Sequence, residues 1–98
     1  MRFSLFIILI FSLLTACRSS FEQVRLSNDP PLILTESIKF YDKGDYLRAQ
    51  TLMELILNQY RGTREGEELF FKYSYTHYHL GSYALAATYF TIFSSTFA

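Results

Sequence analysis

The sequence predicts an all-α fold in which two pairs of helices follow an exported leader and a short tether. Three observations predict it. A short basic start and an apolar run end in Leu14-Thr15-Ala16-Cys17. The pattern Gly44-Asp45-Tyr46-x-x-Ala49 returns 37 residues later as Gly81-Ser82-Tyr83-x-x-Ala86. Around each copy, apolar residues recur at spacings of three and four, the period of one helix face.

The leader comes first. Met1-Arg2 supplies a positive charge, and Phe3 to Leu14 is apolar except for Ser4 and Ser12. Small residues follow at the cut point, so the layout is that of a secretory signal. A run of about 12 apolar residues falls short of the ~20 that span a bilayer. A cysteine directly after the cut resembles the lipobox of bacterial lipoproteins. That resemblance implies that residues 1–16 are removed and that the Cys17 thiol carries a diacylglyceryl group. A lone cysteine could otherwise be a free thiol or pair between molecules. Arg18 stands where some bacterial lipoproteins carry the aspartate of inner-membrane retention, so the resemblance implies outer-membrane sorting.

Residues 17–31 then read as the lipidated cysteine and a tether with little ordered structure. The segment is mostly polar and ends in Asn28-Asp29-Pro30-Pro31, which disfavours helix before it. From Leu32 the helical period holds, and four helices are expected at 32–43, 46–60, 64–80 and 83–97. Each glycine of the repeated motif can take the left-handed conformation that ends a helix. Asp45 or Ser82 can then cap the next one. In the second helix Tyr46, Ala49, Met53, Ile56 and Tyr60 form one stripe, with Arg48, Thr51, Glu54 and Asn58 on other faces. Arg61-Gly62-Thr63 ends it. Thr63 is placed to cap the third helix, and Glu65, Glu67 and Glu68 suit the positive end of its dipole. Gly66 in that first turn departs from good helix chemistry by about 1 kcal/mol.

Composition excludes several functions. Without the leader the chain keeps eight Lys and Arg against nine Asp and Glu, so no basic face for nucleic acid is expected. No cysteine follows Cys17, which removes a disulfide framework and a thiolate metal site. His77 and His79, two apart, point to different sides of a helix. No nucleophile elbow, phosphate loop or metal-ligand spacing occurs. The expectation is a binding chain with no enzymatic activity, cofactor or metal.

A repeat of paired helices at this interval belongs to the helical-repeat class. The two hinges resemble the tetratricopeptide repeat, whose hinge reads Gly-Asp-Tyr-x-x-Ala. Aligned on them, Ser37 and Ser74 fall where that family has a small residue in the first helix, and Ala49 and Ala86 where it has alanine in the second. Met53 and Phe90 take its large apolar position. Two departures are an interval three residues above the usual ~34 and no proline ending either repeat. The implied architecture is a tetratricopeptide-like α-solenoid of two helix pairs, about 32–62 and 63–98, forming the front of a longer array.

Lipobox, tether and this interval together resemble the BamD family, the lipoproteins of the outer-membrane β-barrel assembly machinery. The likeness rests on Phe40-Tyr41-Asp42-Lys43-Gly44-Asp45-Tyr46-x-x-Ala49, Tyr60-Arg61-Gly62-Thr63 and Gly81-x-Tyr83-x-x-Ala86-Ala87-x-Tyr89-Phe90. It implies a scaffold on the periplasmic face of the outer membrane, held by lipid, with barrel-assembly subunits and unfolded outer-membrane proteins as partners. It places the peptide-binding side on first-helix residues, here Tyr41, Lys72, Tyr75 and His79. Two other readings stay open: a periplasmic tetratricopeptide adaptor of division or peptidoglycan coordination, and an inactive fragment. Between Leu69 and Ala98 the one formal charge is Lys72, against twelve in residues 36–68. The last helix is apolar nearly all round and is therefore expected to be buried on all sides.

Overall fold

Five helices and no strand make up the described residues of the computed structural model, which are residues 19–97 together with Ser4 and Ile7. Cys17 and the cut point lie outside the described residues. The helices are α1 (Ser19–Arg25), α2 (Pro30–Asp42), α3 (Tyr46–Ile56), α4 (Arg64–His79) and α5 (Tyr83–Phe97).

α1 corrects the reading of residues 17–31 as a bare tether. Seven residues make too short a helix to hold alone, so its stability comes from packing. Phe21 meets Phe40 edge-on at 5.7 Å, and the Arg48 guanidinium sits 5.6 Å over the Phe21 ring. Val24, three residues on, packs against the same core. The two prolines also act differently from expectation. They open α2 two residues early, because a proline at the first helical positions gives up an N–H that has no partner there anyway. Asp29 caps the helix, its carboxylate accepting from the Leu32 N–H at 3.4 Å.

The repeated motif builds the same turn twice. The Gly44 N–H donates to the Tyr41 carbonyl (3.0 Å) and the Asp45 N–H to the Phe40 carbonyl (2.9 Å). Thirty-seven residues later Gly81 donates to Tyr78 (3.1 Å) and Ser82 to His77 (2.8 Å). Gly44 and Gly81 have φ of 82° and 84°, which costs an L side chain roughly 1–2 kcal/mol. The following cap forms at Asp45, which accepts from the Arg48 N–H at 3.3 Å.

α3 stops at Ile56, four residues before the expected end. Gln59 N–H bonds back three residues to the Ile56 carbonyl, and Tyr60 N–H bonds to that same carbonyl. The tightened turn brings the Tyr60 carbonyl onto the start of α4, where Thr63 donates to it from both N–H (3.1 Å) and hydroxyl (2.7 Å). Thr63 Oγ1 in turn accepts from the Gly66 N–H at 2.9 Å, the expected cap.

α2 packs on α3, α4 on α5, and α3 joins the pairs through α4. Ile33, Ala49, Leu52, Met53, Ile56, Leu69 and Tyr73 form the core. Ser37 and Ser74 are fully buried, each turning its hydroxyl to its own helix (Leu34 and Phe70 carbonyls, both 2.8 Å). That leaves the helix surface small, as do Ala49 and Ala86, so neighbouring axes approach closely.

α5 departs from the expectation of all-round burial. Tyr89, Phe90, Phe93 and Phe97 are half-buried, with Phe70 within 6.4 Å of the Tyr89, Phe93 and Phe97 rings and Phe71 5.8 Å from Phe90. Ala86 is buried. The opposite side is open, with Leu85 50% and Ile92 43% exposed. Among the described residues no element covers it.

Candidate functional site

Tyr41, Lys72, Tyr75 and His79 come together in one cluster, although they sit on two helices from different pairs. Tyr41 ends α2. Lys72, Tyr75 and His79 lie three and four apart on α4 and so share a face. The Lys72 ammonium rests 5.4 Å over the Tyr41 ring and pairs with Glu68 at 2.9 Å. His79 meets Tyr75 at 5.4 Å and Tyr41 at 6.5 Å.

Tyr46 joins them and closes the cluster. Its ring lies parallel to His79, centroids 4.0 Å apart and planes 3° off, and edge-on to Tyr41 at 5.4 Å. The sequence reading placed Tyr46 in the packing stripe of α3 instead. The glycine turn carried the missing signal: it reverses the chain, so the first residue of α3 lies beside the end of α2.

Rings continue from this cluster along α4. Tyr75 contacts Phe71 and Phe90 (both 5.3 Å), and Tyr78 contacts Tyr83 at 5.4 Å. Phe71, Tyr78 and Tyr83 are exposed while Tyr41, Tyr46 and Tyr75 are half-buried. The Tyr41 phenol is held above its ordinary range by burial first, then by Tyr46, Tyr75 and Asp42. It therefore stays a neutral hydroxyl that can hydrogen-bond a backbone. Chemically, the face offers apolar ring area with polar tips, which suits contact with an extended chain rather than bond-making chemistry.

His77 has a different setting from His79. It is buried, stacked on Tyr89 at 4.8 Å and edge-on to Tyr73 at 4.9 Å. Gln50 Nε2 lies 3.0 Å from Thr76 Oγ1 and 3.2 Å from His77 Nδ1. The Thr76 hydroxyl spends its own hydrogen on the Tyr73 carbonyl (2.6 Å), so Gln50 is the donor in both contacts. Nδ1 is then an acceptor, and the proton sits on Nε2, which has no hydrogen-bond partner. Burial lowers the His77 pKa, opposed by the Glu54 carboxylate, which accepts from the Tyr73 hydroxyl at 3.1 Å.

That shift carries a prediction. The unfolded chain takes up a proton as pH falls below the ordinary histidine value of 6.5, while folded His77 takes one up only at lower pH. Stability is therefore full above this value and is lost as pH falls below it, by at most about 1.4 kcal/mol per pH unit. Urea melts at stepped pH are expected to show this slope between pH 7 and 5, and His77→Phe to flatten it. An unchanged slope in the variant would assign it to other groups.

A cavity of about 160 Å³ is lined by Arg25, Asn28, Pro30, Ile33, Leu55, Ile56 and Gln59, below the ~300 Å³ at which small-molecule sites usually begin. Among the described residues, no three His, Cys, Asp or Glu are grouped to hold a metal, and no helix is long and apolar enough to cross a membrane. Compared with protein-family models, curated proteins and solved structures, the chain matches none.

Proposed function

We propose that this chain is a lipid-anchored scaffold of tetratricopeptide-like repeats that serves the outer-membrane β-barrel assembly machinery. It binds partner subunits or unfolded barrel proteins along the aromatic face and carries no catalytic activity. The observation that supports the binding reading is the convergence of Tyr41, Tyr46, Lys72, Tyr75 and His79 from three helices into one accessible cluster. The hinge hydrogen bonds recurring at 37 residues support the repeat reading, and the Leu-Thr-Ala-Cys17 signature supports the anchor. Placement on the periplasmic face of the outer membrane follows from that anchor and from the resemblance stated above.

The test is a photo-reactive residue placed at His79 in the full chain, with exposed Leu55 as the control position. Light-dependent adducts with β-barrel proteins or their assembly subunits are expected at position 79 above the control. Adducts with soluble envelope proteins alone would replace this reading by the adaptor one, and none above control would overturn the binding face. Cys17→Ala in the same cells is expected to abolish fatty-acid labelling. Equal labelling of wild type and variant would remove the anchor.

A further inference from the structure

Both glycine turns lie at one end of the described body. His79, beside the second turn, stacks on Tyr46 at 4.0 Å and approaches Tyr41 at 6.5 Å, and those two rings flank the first turn. α1 begins at the same end. Its third residue, Phe21, meets Phe40 and Arg48, which stand four residues either side of Gly44. Its last residue, Arg25, lines a cavity with Pro30 and Ile33 at the start of α2 and with Ile56 and Gln59 at or past the end of α3. α1 therefore runs from the turn end toward the far end.

This direction fixes where a lipid on Cys17 must sit, given the anchor reading proposed above, on which this inference rests. Cys17 precedes Ser19, the first residue of α1, by two residues, and two residues reach at most about 7 Å. The far end is separated from the turn end by the 13 residues of α2, a height of about 20 Å. Packing of Phe21 and Val24 on the body takes up the remaining slack. The acyl chains can thus enter a bilayer beside the turns and not beside the far end.

The side chains at the turns suit that placement. Leu47 is 63% and Tyr83 64% exposed, and Tyr78 and Leu80 stand open with them. Tyrosine is at home at a membrane surface, its ring in the apolar zone and its hydroxyl in water. No Asp, Glu, Lys or Arg follows Lys72, so the second turn has no ion to desolvate. At the first turn Arg48 pairs with Asp45 at 2.8 Å, and Lys43 stands next to Asp42 in the chain. The far end also exposes Leu26 and Leu55, but alongside exposed Asp29, Arg61, Arg64, Glu65 and Glu67.

We propose that the turn edge, formed by Leu47, Tyr78, Leu80 and Tyr83, is a membrane-docking surface that rests on the lipid headgroups beside the anchor. The short link holds the edge at high effective concentration against the bilayer, so a weak affinity suffices. The helix pairs then run away from the membrane. Tyr75 and Lys72 lie one and two turns from the end of α4, and the binding face proposed above rises from the bilayer rather than lying in it.

The experiment uses the full chain with its native anchor, reconstituted in vesicles of phosphatidylethanolamine and phosphatidylglycerol. A thiol-reactive nitrobenzoxadiazole label is placed at Leu47→Cys or Tyr83→Cys on the edge, and at Leu55→Cys or Glu65→Cys on the far end. Spin-labelled lipid in the bilayer then quenches whichever label approaches it. Quenching at positions 47 and 83 is expected to exceed that at 55 and 65 by about threefold or more, since interfacial side chains enter only roughly 5–10 Å. Equal quenching at both ends, or more at the far end, overturns the docking surface and leaves the anchor standing. Wild type is expected to take no label, its thiol being acylated. Labelled wild-type Cys17 removes the anchor and this proposal with it. The two edge positions report separately, so either decides alone if the other variant alters the circular dichroism spectrum.

Discussion

Leu52→Ala is expected to lower the free energy of unfolding by about 2–5 kcal/mol, the range for deleting a fully enclosed leucine side chain. Leu52 has no exposed surface and sits in α3 between Ala49, Met53 and Ile56, where the two helix pairs share their core. Small domains hold only roughly 0.05–0.15 kcal/mol per residue in total, so a loss of this size removes a large share of the stability. Leu55, three residues along the same helix, provides the control because it is 47% exposed. Leu55→Ala is expected to cost clearly less, about 1 kcal/mol, since about half of its area stays in water in the folded chain and its loss leaves no enclosed cavity. Urea unfolding followed by far-ultraviolet circular dichroism measures both. Comparable losses in the two variants would mean that the core does not run through α3.

The difference between these two leucines also shows what the sequence revealed and what it did not. Of the stripe Tyr46, Ala49, Met53, Ile56 and Tyr60, the middle three are buried in α3, whereas Tyr46 joins the aromatic cluster and Tyr60 lies past the helix end, and the stripe passed over Leu52. A helix wedged between two pairs is covered over a wider arc than one stripe, and periodicity reports the centre of that arc rather than its width. The hinge glycines were legible, and so was the cap at Asp45, because a glycine that must adopt positive φ followed by a capping residue is local chemistry. Thr63 was legible for the same reason.

Elements decided by distant contacts were not. α1 forms because Phe21 finds Phe40 and Arg48, which are 19 and 27 residues away in the chain, and nothing within Ser19–Arg25 announces those partners. The candidate face shows both cases. Tyr41, Lys72, Tyr75 and His79 were reachable from the repeat alignment, because all four lie on the first helix of a pair, and Lys72, Tyr75 and His79 share one face of α4. Tyr46 was not, since its ring stacks on His79 across the gap between pairs as well as meeting Tyr41 of its own pair. α5 shows the limit of composition. Apolar residues all round establish that a helix seeks cover, and the packed structure determines which side receives it.

Gly66→Ala opposes a local preference to a tertiary constraint, and the magnitudes predict which prevails. Inside an exposed helix this exchange gains about 1 kcal/mol from helix propensity. At position 66, however, the side-chain direction is occupied by the Tyr60 carbonyl, which an added Cβ would strike, with Thr63 Oγ1 also close at 3.1 Å. The obstacle is backbone, so no rotamer change relieves it. That carbonyl also accepts from both Thr63 donors, which hold it over the first turn of α4. Moving it aside means giving up part of that capping network, and overpacking of this kind costs typically 1–3 kcal/mol or more. The net expectation is a destabilised protein, by about 1–3 kcal/mol, in spite of the better helix former. Gly66→Ala compared with wild type in urea melts gives the sign directly. A gain of about 1 kcal/mol would show that propensity governs this turn and that the Tyr60 carbonyl is free to move. A loss would explain why a residue poor in helix propensity stands three positions after the cap: the turn that shortens α3 occupies the space a side chain would need.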